Sequence, residues 1–191
     1  THDMSRLIEV LGCNVFNYDG EHAWDINWHG MNEEEKNEWL RKHKLTHEQY
    51  EHGKTIMKSY VTALAFMPGM FTIFYGDEVG LKGIGNLLNR ATYPWGHEDE
   101  KLKGFYKELV KSRKSEEFLR TADMRVHKIG KNQLIFERYD ENDKAIIIAS
   151  RVNHTTEIAI PEEYRDAKIV FSTEGSSKTT LAPYGAIVLK K

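Results

Sequence analysis

Phe71-Thr72-Ile73-Phe74-Tyr75-Gly76-Asp77-Glu78-Val79-Gly80-Leu81 decides how the rest of the chain is read. Phe71 to Tyr75 is a continuous apolar and aromatic run, closed by a Gly-Asp-Glu turn. A run that short suits a parallel strand buried on both faces. Upstream, Ile56, Met57, Tyr60, Val61, Leu64 and Ala65 recur at helical spacing. Pro68-Gly69 then stops that helix, expected over 46–67. Downstream, residues 80–96 read as a Gly-rich loop. Residues 99–118 read as a further helix, with Leu102, Phe105, Tyr106, Leu109 and Val110 on one face. Alternating strand and helix is the order of α/β architecture and, repeated, of a (β/α)8 barrel.

Residues 1–12 read as a strand end passing through a loop into a short helix, with Leu7, Ile8, Val10 and Leu11 apolar. Residues 13–31 have no period and read as loop. Asn32 before Glu33, Glu34 and Glu35 marks a helix start, a capping side chain followed by acids in the first turn. Thr46 is placed to cap the longer helix after it. Beyond about residue 121 the pattern changes to short alternating runs: 124–129, 133–139, 144–149, 156–160, 168–171 and 186–189. Turn residues separate them, such as Gly130-Lys131-Asn132. That spacing predicts an antiparallel β-sandwich.

Composition narrows the classes. The chain has 191 residues, 40% of them hydrophobic and 29% charged, enough apolar content for a core. A net charge of -2 points to neither nucleic acid nor a membrane surface as partner. No stretch is long and apolar enough to read as a bilayer-spanning helix. The single cysteine, Cys13, excludes an internal disulfide and suits a reducing compartment, so a cytoplasmic location is favoured. A chain that opens on Thr1 without a starter methionine is expected to have lost its true N-terminus, which leaves location open.

Thr1-His2-Asp3-Met4-Ser5-Arg6, the segment 71–81, Asn89-Arg90 and Tyr93-Pro94-Trp95-Gly96 together resemble the last third of an α-amylase-type enzyme of glycoside hydrolase family 13. The Tyr-Gly-Asp-Glu segment looks closest to the cyclomaltodextrinase, neopullulanase and maltogenic amylase group. The resemblance implies α/β plus all-β architecture. Residues 1–120 would be the last two strand–helix units of a catalytic (β/α)8 barrel, with a loop and helix insertion at about 13–51 that matches nothing in that group. Residues 121–191 would be the C-terminal β-sandwich.

The same resemblance implies the parent's activity: hydrolysis or transfer of α-glucosidic bonds, with retention, on starch-derived oligosaccharides. Asp3 would be the third catalytic carboxylate, hydrogen-bonding the hydroxyls of the sugar being cleaved and stabilising the transition state. His2 would bind that sugar. The nucleophile and proton donor lie upstream of this motif in the family, so the chain alone is expected to be inactive. Its partners would be an α-glucan or maltooligosaccharide and the missing N-terminal part of the protein; a homo-oligomer, in which a second copy covers the apolar face, stays open. No cofactor is read from this segment; calcium in the parent stays open.

Other residues carry two readings each. Arg6 reaches a more distant glucose unit or forms an ion pair that holds its loop. Arg90 pairs with a barrel carboxylate at the pocket rim or binds sugar. Tyr18, Trp24 and Trp28 stack on C–H faces of a sugar or pack their loop onto the barrel. Asp77 and Glu78 accept backbone N–H groups or pair with Arg90. His43, His47 and His52 read as a solvated helix face, since no acidic or cysteine partner lies in register with them. The alternative to an enzyme piece is a non-catalytic carbohydrate-binding or structural sandwich, which would expose aromatics on one sheet face.

Overall fold

The computed structural model describes residues 5–13, 30–84 and 88–191, with the side chain of Leu40 left aside. His2, Asp3, Tyr18, Trp24 and Trp28 lie outside the described residues. The chain divides into two compact units, residues 1–57 with 73–103, and residues 58–72 with 104–191.

In the first unit, α1 (Leu7–Gly12) follows Arg6, and α2 (Glu33–Lys42) starts where the sequence places it. Asn32 Oδ1 accepts from the N–H groups of Glu34 and Glu35, and Glu35 reaches back to the Asn32 N–H. That reciprocal box satisfies donors the first turn would leave unpaired. α3 (His47–Phe66) begins on the same device, with Thr46 and Gln49 exchanging hydrogen bonds of 3.1 and 3.0 Å. α1 crosses the start of α3 at backbone contact. A Cβ on Gly12 would stand 2.5 Å from the Gln49 carbonyl oxygen, and one on Gly53 would stand 2.8 Å from that of Ile8. Only glycine allows this approach, and it fixes the helix that carries Glu9 and Cys13.

The expected strand over Phe71–Tyr75 is not formed. Residues 71–74 have no ladder partner among the described residues, and Tyr75 is exposed. A strand exists only by pairing, so an apolar run without a neighbour stays irregular however strongly its composition favours β. The Gly76 turn does form, with φ of 88°, and leads into a 3-10 turn at Asp77–Val79. Asp99 closes this unit. Its carboxylate accepts from the Leu102 N–H, the Tyr50 hydroxyl and the Lys54 ammonium, each at 2.9 Å. Burial opposes ionisation of Asp99, but these donors prevail and hold its pKa below the usual carboxylate value.

α4 (Glu100–Ser115) buries Leu102, Tyr106 and Leu109, one helical face as expected. In the second unit, β1 (Asp123–Ile129), β2 (Gln133–Tyr139), β3 (Lys144–Ser150), β5 (Lys168–Ser172) and β7 (Ala186–Lys190) form one antiparallel sheet in the order β1-β2-β3-β7-β5. β4 (Thr156–Glu157) pairs with β6 (Thr180–Leu181) in a second, two-stranded sheet. The expected run over 156–160 is therefore shorter as a strand, though Ile158 and Ile160 still pack on the core formed by Ile146, Ile148, Tyr164, Leu181, Ile187 and Leu189.

β3 is buried on both faces, not on alternate residues. The later half of α3 reaches the end of this strand, where the Ser59 hydroxyl donates to the carbonyls of Ser150 and Gly185. The end of that helix is held by two arginines. Arg113 donates to the carbonyls of Ala65 and Gly69. Arg138, 1% exposed, donates to those of Phe66, Leu119, Ala122 and Asp123. Cations suit the carbonyl end of a helix. Because no carboxylate is among the acceptors of Arg138, burial lowers its pKa. Replacing Arg138 with Met would strand four carbonyls; an unfolding free energy lower by about 3–5 kcal/mol is expected in denaturant titration.

Candidate functional site

In the first unit a set of polar contacts is built around Arg6. Its backbone N–H donates to the Gly83 carbonyl at 2.8 Å. Its Nε donates to the Asn89 carbonyl at 2.8 Å, and its Nη1 to the Tyr75 carbonyl at 2.5 Å and the Asp77 carboxylate at 3.1 Å. The guanidinium lies over the rings of Phe74 and Tyr75, 4.1 and 4.7 Å from their centroids. A planar, always-charged fork with aromatic faces beside it is a role lysine cannot fill. Arg6 is 2% exposed, and its guanidinium is paired with Asp77.

Asp77 is the partner of Arg6 here. Burial pushes its carboxyl above the ordinary range, and Arg6 pulls it back only in part. The Nη2 of Arg6 and the Oε2 of Glu78 are buried with no hydrogen-bond partner among the described residues. Arg90 follows buried Asn89 and is exposed. The arrangement thus brings Arg6, Asp77 and Asn89 together and leaves Arg90 at the surface.

Past Arg90 the chain presents the aromatics of Tyr93-Pro94-Trp95-Gly96. Tyr93 and Trp95 pack with ring centroids 4.5 Å apart, and Trp95 is 78% exposed. Burial and the charge of Glu78 raise the Tyr93 pKa. The Tyr75 hydroxyl donates to the Ala91 carbonyl at 2.9 Å, tying this loop to the segment before the Gly76 turn. An exposed indole backed by a second ring is a surface on which apolar C–H faces can stack. The signal available in the sequence was an aromatic on each side of a proline in a Gly-bounded loop.

Among the described residues, Glu9, Cys13 and His43 form one group whose ligand-type atoms lie within 4.8 Å of one another. His43, read as part of a solvated helix face, instead sits after α2, half-buried and stacked on Trp39. Its acidic and sulfur partners come from α1, far off in sequence, where no spacing rule would find them.

No protein-family model matches the chain. Over 57 residues, 30% of the chain, it is 46% identical to an amylopullulanase of Thermoanaerobacter thermohydrosulfuricus, of which the match covers 4%. Over 128 residues, 61% of the chain, it is 29% identical to a cyclomaltodextrinase of Geobacillus thermopakistaniensis (strain MAS1), covering 22% of that protein. Among solved structures, the cyclic α-maltosyl-(1→6)-maltose hydrolase of Arthrobacter globiformis matches all of this chain with a TM-score of 0.66 at 17% identity, over 33% of its own length. The chain thus spans less than a quarter of the curated relatives it matches. Its homologues are enzymes of the α-amylase family, as the resemblance in its sequence implies.

Arg6→Ala is expected to lower the unfolding free energy by about 3–5 kcal/mol, because Asp77 and two carbonyls lose a buried partner. Arg6→Lys should cost less but not restore the parent value. Denaturant titration followed by circular dichroism measures both.

Proposed function

We propose that this chain is the C-terminal part of a retaining hydrolase or transglycosidase of α-glucosidic bonds in starch-derived oligosaccharides. Residues 1–120 would complete a (β/α)8 barrel and residues 121–191 would be its sandwich. The observation that carries this reading is the Arg6 contact set. It holds the chain just after His2-Asp3 against the turn and loop that follow the apolar run 71–75. In a barrel, active sites gather where the strands end, and in the complete protein such a tie would keep the segment after His2-Asp3 beside the Gly76 turn and the Asn89 loop.

In this reading Asp3 is the ionised carboxylate that accepts two hydroxyls of the sugar being cleaved. Charge-assisted bonds of that kind are strong. They accelerate the reaction insofar as they tighten while positive charge develops on the ring. His2 binds the same sugar. Arg90 works at the rim, and Trp24 and Trp28 offer stacking faces, to which the exposed Trp95 adds another. Arg6 positions the segment and does not touch substrate. The nucleophile and the acid, about 5–5.5 Å apart for retention, come from the preceding sequence.

Exposed apolar side chains fit that account. Tyr60 and Leu64, one helical turn apart on α3, are 49% and 37% exposed, and Met70 is 91% exposed. They are surfaces for the missing part of the protein to cover. A carbohydrate-binding sandwich is less well supported. Phe136, Tyr164 and Phe171 are buried, and no aromatic of residues 121–191 is among the large exposed apolar side chains described.

The purified chain of 191 residues is expected to release no reducing sugar from starch, maltodextrin or pullulan. Turnover that co-purifies with this chain and persists after removal of contaminating amylase would overturn the reading. In the complete enzyme, Asp3→Asn should lower kcat by about a thousandfold or more without changing the thermal midpoint. Near-normal turnover would remove Asp3 from the site.

A further inference from the structure

We propose that Glu9, Cys13 and His43 form a binding site for a zinc-class divalent cation, with a fourth coordination position open to the adjoining cavity. Three donor types chosen by zinc, a carboxylate, a thiol and an imidazole, converge within the first unit. His43 Nε2 lies 3.3 Å from Glu9 Oε2 and 3.5 Å from Cys13 Sγ, and Sγ lies 3.9 Å from Oε2. Ordinary zinc bond lengths at tetrahedral angles would set the nitrogen–oxygen edge at about 3.4 Å and the two sulfur edges at about 3.6 Å. The three atoms therefore already outline one face of a coordination tetrahedron.

The local fold explains why they meet. Glu9 and Cys13 are four residues apart on α1 and its cap, so their side chains share one helical face. The close glycine crossing fixes α1 against α3. His43 ends α2 and its ring is stacked on Trp39, 4.7 Å between centroids. The second oxygen of Glu9 accepts from the Gly83 N–H at 3.1 Å, which orients the carboxylate. Outer hydrogen bonds of that kind hold metal ligands in place.

A nucleophilic triad is the competing use of Cys, His and an acid. It needs the acid on one ring nitrogen and the sulfur on the other. Here both converge on Nε2. Burial, then the charge of Glu9, pushes the Cys13 thiol up to about 11, the opposite of an activated nucleophile. On binding, the S–H bond breaks, its proton goes to solvent, and the sulfur–zinc bond forms, so affinity rises with pH.

Glu9 and His43 also line an open cavity of about 340 Å³, together with Lys44, Lys82 and Leu88. The two lysines favour water, hydroxide or a small anion as the fourth ligand. The ion would join Cys13 to His43, 30 positions apart, and so clip together both ends of the intervening segment. Closing a loop of that length by a metal clip restricts the unfolded chain.

Cys13 is the only cysteine of the chain, so thiol chemistry reports on a single atom. The 191-residue chain, stripped with chelator, is alkylated with and without zinc, and zinc binding is measured by equilibrium dialysis. One zinc per chain and at least about tenfold slower alkylation of Cys13 are expected. Cobalt should give a thiolate-to-metal charge-transfer band. Cys13→Ser and His43→Ala should each weaken binding by about a hundredfold or more, beyond the change made by losing an outer hydrogen bond. His47→Ala and His52→Ala should not. Unaltered alkylation of the parent chain in zinc, or equal binding by Cys13→Ser, would overturn the site and leave a hydrogen-bonded cluster.

Discussion

A buried guanidinium is stabilised where its N–H groups find acceptors, and Arg6 finds them on two separate stretches of chain. The carbonyls of Tyr75 and Asn89 and the carboxylate of Asp77 converge on it, with the rings of Phe74 and Tyr75 beside it. Removing any one of these acceptors leaves a charge without full compensation in a site that solvent does not reach. The start of the chain, the Gly76 turn and the loop at Asn89 are therefore held as one arrangement. What the first unit can do chemically follows from this, because the loop bearing Arg90, Tyr93 and Trp95 departs from that point.

The second unit is organised by a related constraint. α3 ends at Phe66 among carbonyls that need donors, and the sheet supplies one of them as Arg138 on β2. Arg113 on α4 supplies another. β3 has no solvent face, its Ile146 and Ile148 packing with Leu181 of β6, and Lys144-Ala145-Ile146-Ile147-Ile148-Ala149-Ser150 is apolar almost throughout. β1 lies at the edge of the sheet and is exposed along its length, with a bulge between Val126 and Lys128 that disfavours further pairing.

Local signals were legible in the sequence. The caps at Asn32 and Thr46, the stop at Pro68-Gly69, the buried face of α4 and the five longer strands of the second unit all follow from patterns within a few residues. What depended on distant partners was not legible. The run 71–75 has strand composition, yet pairing is decided by what lies beside it. Arg138 sits in an alternating strand as an ordinary polar position, and its burial requires four carbonyls brought from elsewhere. The convergence of Glu9 and Cys13 on His43 leaves no trace in spacing, since it depends on how α1 and α2 are placed. His2 and Asp3, which the resemblance marks, and Trp24 and Trp28, aromatics of one polar loop, lie outside the described residues, so their roles rest on the proposal.

The proposed function has this chain complete a catalytic site whose other carboxylates lie elsewhere in the parent protein. Complementation tests it most directly: the upstream part of the parent protein and these 191 residues are produced separately, mixed, and assayed for maltooligosaccharide cleavage. The account predicts that neither part cleaves alone and that the mixture does, with the anomeric configuration retained in the first-formed product. Full activity in the upstream part by itself, or inversion of the product, would contradict it.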